Sequence, residues 1–232
     1  MIALIPARGG SKRVPNKNIV EFCGLPLIAW TIQAALKAER FDEVYVDTDD
    51  EEIAEIARRY GANVPFLRAT CADDHSTVGQ AASVFLERLN DIEENRSAVC
   101  LLMANCPLRK ASTIARSVEV FEGLGSGQTL ISVYEPLFSH PNWTIRRESN
   151  DPYRSTFADA ESSIKRSQDL GQVYMPTGSV WIADREFVVD SQSFYSTPFF
   201  SFPISWIEAI DIDTLEELEV ARHIGRSTLM AR

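Results

Sequence analysis

Four cations stand within ten residues near the start of the chain: Arg8, Lys12, Arg13 and Lys17, with Gly9 and Gly10 between the first two. Like charges this close repel one another unless an anion sits among them. Glycines let the backbone approach a bound group and offer bare N–H donors to phosphate oxygens. The chemistry this suits is the holding of a polyphosphate; the plainer reading is a solvated basic loop. Neither G-x-x-x-x-G-K-[ST] nor G-x-G-x-x-G is present here. The string Gly123-Leu124-Gly125-Ser126-Gly127 is richer in glycine, but it follows an expected helix and precedes an expected strand. That is the wrong context for phosphate at a helix N-terminus, so it reads as a flexible connection.

A second constellation is Asp211-Ile212-Asp213. Alternate residues of an extended segment point the same way, so both carboxylates can face one site. Paired carboxylates suit Mg²⁺, which completes its shell with water and substrate phosphates. The alternative is that Asp213 merely favours the N-terminus of the helix after it. Asp211, directly after Ala209 and Ile210, lacks that explanation. A third acidic group, Asp47-Thr48-Asp49-Asp50, ends an expected strand: Asp49 reads as a helix-capping signal, and Asp47 as a sugar or metal contact or a solvated acid. His75 and His140 have no Ser or Cys nucleophile pattern around them, which argues against a catalytic triad.

These residues need a frame to hold them. Residues 2–6 form a short apolar run without alternation, the mark of a strand buried on both faces. The basic loop leaves its carboxyl end, where open α/β sheets bind ligands. Helical spacing follows over 26–38, a strand over 43–47 and an acid-opened helix over 49–60. A loop over 61–75 holds a short strand at 64–66, then a helix runs over 76–89 with Ser76 as N-cap. A strand at 99–103, a helix at 112–121 and a strand at 129–134 complete the first part. This strand-helix alternation at βαβ length predicts a mostly parallel sheet covered by helices on both faces. The pattern breaks over 139–170, a polar, Arg-rich stretch too long for a plain connection. It reads as an inserted excursion that packs on another subunit or folds over the site. Strands at 179–182 and 199–204 and a helix at 214–224 then close a single domain spanning 1–232.

The 232 residues are 45% hydrophobic and 24% charged, the balance of a chain with a sizeable core. The formal charge of −10 argues against nucleic-acid binding, which needs a broad basic face. Cys23, Cys71, Cys100 and Cys106 form no CxxC pair and no zinc spacing, as expected of free thiols in a reducing cytosol. Neither a signal peptide nor a membrane-spanning run is visible. The sequons at Asn95 and Asn142 read as chance matches.

Taken together, Ile5-Pro6-Ala7-Arg8-Gly9-Gly10-Ser11-Lys12 and Pro15-Asn16-Lys17-Asn18 resemble the signature of the acylneuraminate cytidylyltransferases, the CMP-sialic acid synthetases. The likeness continues in order through Val46-Asp47-Thr48-Asp49-Asp50, Pro65-Phe66-Leu67-Arg68, Ala72-Asp73-Asp74, Pro107-Leu108-Arg109, Arg166-Ser167-Gln168-Asp169-Leu170 and Ile210-Asp211-Ile212-Asp213-Thr214. The resemblance implies a three-layer α/β/α, Rossmann-like fold with a protruding dimerisation segment, and a cytoplasmic homodimer. It implies transfer of CMP from CTP to the anomeric hydroxyl of a nine-carbon α-keto acid sugar, with Mg²⁺ and release of pyrophosphate. On this resemblance Arg8, Lys12 and Lys17 hold the triphosphate with Asn18 alongside, and Gly9, Gly10, Ser11 and Thr77 complete the nucleotide site. Ala7, Arg8 and Arg68 frame the cytosine. Asp211 and Asp213 carry the metal, and Arg8, Lys17 and Asp211 are the catalytic set. Met103, Asn105, Arg109, Gln168, Thr177 and Gly178 fall on the sugar side.

Several positions depart from the family pattern. Met103 stands where many members have glutamine, and Met175-Pro176-Thr177-Gly178 replaces Arg-Pro-Asn-Gly. Arg166-Ser167-Gln168-Asp169-Leu170 is closer to the pseudaminic acid branch. A sugar pocket altered at several points suggests a substrate other than N-acetylneuraminate, because unmatched buried polar groups discriminate strongly. Pseudaminic or legionaminic acid is the expectation. An eight-carbon ulosonic acid, or nucleotide binding without turnover, are the alternatives. Deprotonation of the sugar hydroxyl falls to metal-activated water or to Asp211.

Overall fold

The computed structural model describes residues 1–71, 76–90, 97–136, 140–148, 151–158 and 165–229. In chain order the elements are β1 (Ile2–Pro6), β2 (Glu21–Phe22), β3 (Leu25–Pro26), α1 (Leu27–Ala38), β4 (Glu43–Asp47), α2 (Glu51–Arg59) and α3 (Val78–Asn90). There follow β5 (Ala98–Leu101), α4 (Ala111–Glu122), β6 (Thr129–Tyr134), β7 (Ile145–Glu148), β8 (Asp151–Phe157), β9 (Met175–Asp184), α5 (Arg185–Ser191), β10 (Phe200–Pro203) and α6 (Leu215–Leu229).

Six strands make the main sheet in the order β10-β6-β9-β5-β1-β4. All run parallel except β9, which is antiparallel to both β5 and β6. The expected mostly parallel sheet is therefore present. Its period of two divides the core. Ala3 and Ile5 of β1, with Val44 and Val46 of β4, pack on α1, α2 and α4 through Ile28, Ile53 and Ile114. Ile2, Leu4 and Tyr45 point the other way, onto Phe85, Leu86 and Val188 of α3 and α5. Helices on both faces make the three layers, each fully buried aliphatic contributing about 1.5–3 kcal/mol. The chain leaves β1 for β4 on one side and crosses to β5 on the other, so a crevice opens beyond the carboxyl ends of β1 and β5.

Several local expectations are corrected. No strand forms at 64–66; Asn63 alone bridges Tyr45, its carbonyl accepting from Val46. The N-cap of α2 is Asp50, whose Oδ1 accepts from the Ile53 amide at 3.1 Å, and Asp49 is left for another task. The cap of α3 is Thr77 rather than Ser76. Thr77 Oγ1 accepts from the Gln80 amide, and Gln80 Oε1 accepts from the Thr77 amide, a capping box. The strand expected at 179–182 is ten residues long, the closing helix reaches Leu229, and α5 and the β2–β3 hairpin are additions. The glycine-rich 123–127 is indeed a connection, with positive φ at Gly125 and Gly127.

Part of the 139–170 excursion is a hairpin, β7 paired antiparallel to β8 with Ile145 opposite Phe157. Ile145, Arg146, Arg147, Ser155, Thr156 and Phe157 are all exposed. None of these described side chains packs on this chain's core, so no alternation is needed among them. Ser139 and Asn95 lie outside the described residues. Among the described residues no helix is long and apolar enough to cross a membrane. The four cysteines are free, Cys100 and Cys106 being buried.

Candidate active site

Register sets the site. Pro6 pairs with Asp47, so the basic loop and the acidic Asp47-Thr48-Asp49-Asp50 turn leave the same sheet edge side by side. There the basic loop walls a cleft of about 420 Å³, to which it contributes Arg8, Ser11, Lys12, Arg13 and Lys17. Asn18, Arg68 and Thr77 form further parts of its wall, and Met103, Asn105 and Asp213 close it.

The glycines serve differently from the expectation. The Gly9 amide donates to Asp49 Oδ1 at 2.9 Å, so it is not a bare phosphate donor. A Cβ at Gly9 would lie 2.7 Å from Asp50 Oδ2, so the residue is required by close packing against the α2 cap. Gly10 has open space around it and is exposed. Neither glycine lines the cleft, and Ala7 is buried with its amide bound to the Asp47 carbonyl. The buried Asn18 side chain donates to the Arg8 carbonyl at 2.9 Å, tying the two ends of the loop together. Asn16 takes a left-handed φ of 52° that starts the short 3-10 turn Lys17–Ile19 and turns Lys17 into the cleft. Val14 buries beside Phe22, Leu27 and Ile212, which anchors the loop to the Asp211-Ile212-Asp213 segment.

With Ile212 buried, the two aspartates face outward on neighbouring cavities. Asp213 lines the basic cleft; Asp211 lines a second cavity of about 210 Å³. They do not share one cavity, as alternation had suggested. Asp213 Oδ1 accepts from Lys17 Nζ at 2.8 Å and from Asn105 Nδ2 at 3.2 Å, and Oδ2 from Arg13 at 2.5 Å. Partial burial works against ionisation of Asp213, but Lys17 and Arg13 outweigh it and hold its carboxyl below the usual carboxylate range. Asp211 is the reverse case. It touches solvent, yet surrounding protein atoms, and next the charge of Asp213, raise its carboxyl to about 6. Among the described residues no three His, Cys, Asp or Glu side chains cluster as a complete metal cage.

Arg68 is held from behind. Its guanidinium sits 2.8 Å from the Asp47 carboxylate, bonds the Asp47 carbonyl at 2.8 Å and reaches the Cys71 carbonyl at 3.3 Å. Burial raises the Asp47 carboxyl, with Arg68 pulling against that rise. Asp47 is thus a buried counter-ion for Arg68 rather than a ligand contact.

The sugar-side residues divide. Thr177 and Gly178 line the second cavity together with Tyr134, Trp181 and Tyr195. Met103 and Asn105 line the basic cleft. The Met103 amide bonds the Gly178 carbonyl at 3.1 Å, and a Cβ at Gly178 would meet Met103 Cγ at 2.6 Å, so this contact adjoins both cavities. Arg109 is corrected: buried, it donates to the Ser179 carbonyl, to Thr31 Oγ1 at 2.9 Å and to the Met103 carbonyl at 3.1 Å. It lines neither of these cavities and instead clamps the 103–105 turn to β9. Gln168 lies exposed on the turn Ser167–Asp169 and lines neither cavity of this chain, as a residue of the excursion expected to reach a partner's sugar site would. His140 accepts from the Asn142 amide in another 3-10 turn; His75, Asp73 and Asp74 lie outside the described residues. Burial pushes the Cys100 and Cys106 thiols up to about 12, which leaves neither as a nucleophile.

Sequence reasoning missed Asp49 as the anchor of Gly9 and the aromatic wall of Tyr134, Trp181 and Tyr195. The first joins residues forty apart and has no local signal. The second was visible only as aromatics in and near the resumed strands.

A crevice at the carboxyl edge of a parallel sheet, with a basic loop on one lip and two aspartates on the other, defines a nucleotide-binding α/β protein of the nucleotidyltransferase kind. Residues 2–150 match the cytidylyltransferase family, and the chain belongs to it. It is 36% identical, over 92% of its length and 91% of the relative's, to the CMP-N,N'-diacetyllegionaminic acid synthase of Legionella pneumophila. It is 32% identical to the pseudaminic acid cytidylyltransferase of Campylobacter jejuni, over 95% of this chain and 94% of that one. The N-acylneuraminate cytidylyltransferase of Streptococcus agalactiae is 29% identical over 96% of this chain, which spans 53% of that protein. Among solved structures, CMP:2-keto-3-deoxy-manno-octonic acid synthetase complexed with CTP superposes with a TM-score of 0.71 at 18% identity. That match covers 97% of this chain and 98% of the other, and shows the shared fold.

Proposed function

We propose that this protein transfers CMP from CTP to the anomeric hydroxyl of a nine-carbon α-keto acid sugar and releases pyrophosphate. One observation carries the reading: the cations of the basic loop and the Asp211-Ile212-Asp213 carboxylates meet at the mouth of two adjoining cavities. Attack at an α-phosphorus builds charge on the leaving pyrophosphate, and pre-positioned cations stabilise that charge with little covalent help from the protein. Arg8, Lys12 and Lys17 meet the triphosphate in the basic cleft, while the sugar occupies the cavity of Thr177, Gly178 and Trp181. Asp211 faces that cavity, beside where the sugar hydroxyl would lie.

Mg²⁺ suits the donor set. Asp211 and Asp213 are hard oxygen donors, and the buried Asn105 Oδ1 beside Asp213 has no partner. Two carboxylates, with the remaining shell from water and phosphate, is the usual arrangement for this ion. Asp211 and Asp213 would hold it, and when bound it would neutralise phosphate charge. A homodimer built through the β7–β8 hairpin, working in the cytoplasm, completes the proposal. Its exposed Ile145 and Phe157 support the pairing.

Relatives named for legionaminic and pseudaminic acid support a diamino nonulosonate as the substrate. The test is pyrophosphate release with CTP and Mg²⁺ over a panel of eight- and nine-carbon keto acid sugars. Turnover should be highest with a diacetamido nonulosonate, and Asp211→Asn and Lys17→Ala should each lower it at least ~100-fold in folded protein. Preference for an eight-carbon acid, or near-normal activity in both variants, overturns the reading.

A further inference from the structure

Asp213 presents an arrangement that neither metal binding nor helix capping explains. Both of its oxygens are taken by the protein's own groups: Oδ1 by Lys17 and Asn105, Oδ2 by Arg13. Lys17 and Arg13 both line the cleft in which a polyphosphate would lie. A polyphosphate entering this cleft meets the negative charge of the Asp213 carboxylate and competes with it for the two cations. The Asp213 backbone is fixed, since its amide bonds Glu217 Oε2 at 2.8 Å and Ile212 is buried beneath it. The Arg13 side chain, by contrast, is 65% exposed, and its contact with Asp213 is made at the surface.

We infer that Asp213 is an internal stand-in for phosphate, and that Arg13 is a further positioning residue which passes from Asp213 to the nucleotide. Without nucleotide the carboxylate offsets part of the charge of Lys17 and Arg13 and holds the basic loop over the cleft. A polyphosphate takes over the two cations, and Asp213 is released to serve as a metal ligand. The carboxylate pair therefore becomes a good cation site only once the nucleotide is in place. This rests on the reading of the cleft as a CTP site, and it makes binding of nucleotide and metal cooperative through Lys17 and Arg13 rather than only through the phosphates.

The competition gives an unusual expectation. With EDTA present, so that no metal contributes, Asp213→Asn should bind CTP about five-fold more tightly than the wild type, because the internal rival is gone. Asp211→Asn removes the same charge from a residue that feels Lys17 but forms no ion pair with it or with Arg13, and should tighten CTP by at most about two-fold. Conversely, Arg13→Gln without nucleotide should bind Mn²⁺, followed by electron paramagnetic resonance, three- to five-fold more tightly than the wild type. Adding Asp213→Asn to that variant should remove the gain. Equal CTP affinities for the two aspartate variants, or unchanged Mn²⁺ affinity in Arg13→Gln, overturns the inference. Pyrophosphate release by the wild type reports separately on the proposed reaction. Wild-type protein without turnover whose Asp213→Asn variant still tightens CTP would reject the reaction and keep the exchange.

Discussion

Replacing Asp47 with alanine strands a cation. The Arg68 side chain is 6% exposed and the Asp47 side chain 1% exposed, with 2.8 Å between guanidinium and carboxylate. Removing one partner of a buried pair costs about 3–5 kcal/mol, because the survivor stays desolvated and uncompensated. At roughly 2–4 °C per kcal/mol for a chain of this size, Asp47→Ala should lower Tm by about 6–20 °C. Arg68→Met should cost a similar amount at neutral pH, with a loss of CTP affinity that Asp47→Ala shares only through disorder of Arg68. The double variant should be less destabilised than the sum of the two by at least about 2 kcal/mol, since it leaves no orphaned charge.

The pH dependence separates the two single variants. The Asp47 carboxyl is raised by burial and pulled down by Arg68, so Arg68→Met raises it further. A folded-state value above the unfolded one means that stability is present at low pH and lost as pH rises through the folded value. The Arg68→Met defect should therefore be largest near pH 8 and shrink toward pH 5. The Asp47→Ala defect, measured against a wild type whose own Asp47 carboxyl is raised, should stay level or shrink as pH rises, opposite in sense to Arg68→Met. Thermal unfolding followed by circular dichroism at pH 5, 6.5 and 8 decides it. Additivity of the two substitutions within about 0.5 kcal/mol, or identical pH profiles, would refute the view of Asp47 as the buried counter-ion of Arg68.

Two further outcomes follow from packing and capping. A Cβ at Gly79 would stand 2.1 Å from the Gln192 carbonyl oxygen, a backbone atom, so Gly79→Ala must push α3 from α5. Overpacking of at least about 1–3 kcal/mol should exceed the helix-propensity gain of about 1 kcal/mol, and a raised melting temperature would contradict this. Thr77→Ala opens the capping box of α3, for about 1 kcal/mol or 2–4 °C, and should also raise the KM for CTP because Thr77 lines the cleft. A KM shift without any change in unfolding would show that the box contributes nothing to the fold.

The elements of the parallel half were legible because their signals are local. Residues 2–6 and 43–47 are apolar on both faces, and the helices between them repeat every three to four residues. The antiparallel β9 was not, because strand direction is decided by the neighbours it pairs with, and those opposite Ile182 are Cys100 and Leu130, far away in the chain. The β7–β8 hairpin stayed hidden for a different reason: its described side chains are exposed, and exposed side chains impose no periodic pattern.

In the site itself, composition and spacing alone identified a cationic loop and a carboxylate pair, since like charges gathered in a short segment need a partner wherever the chain places them. What the loop's glycines do, which arginine faces the cleft and which of the two aspartates faces which cavity were decided by tertiary contacts. Gly9 is claimed by Asp49, Arg109 by three acceptors beneath the turn, and Asp213 by Lys17 and Arg13, nearly two hundred residues earlier. A hydrogen bond depends on where two groups meet in space, and chain order carries no record of that until the sheet has brought its carboxyl ends together.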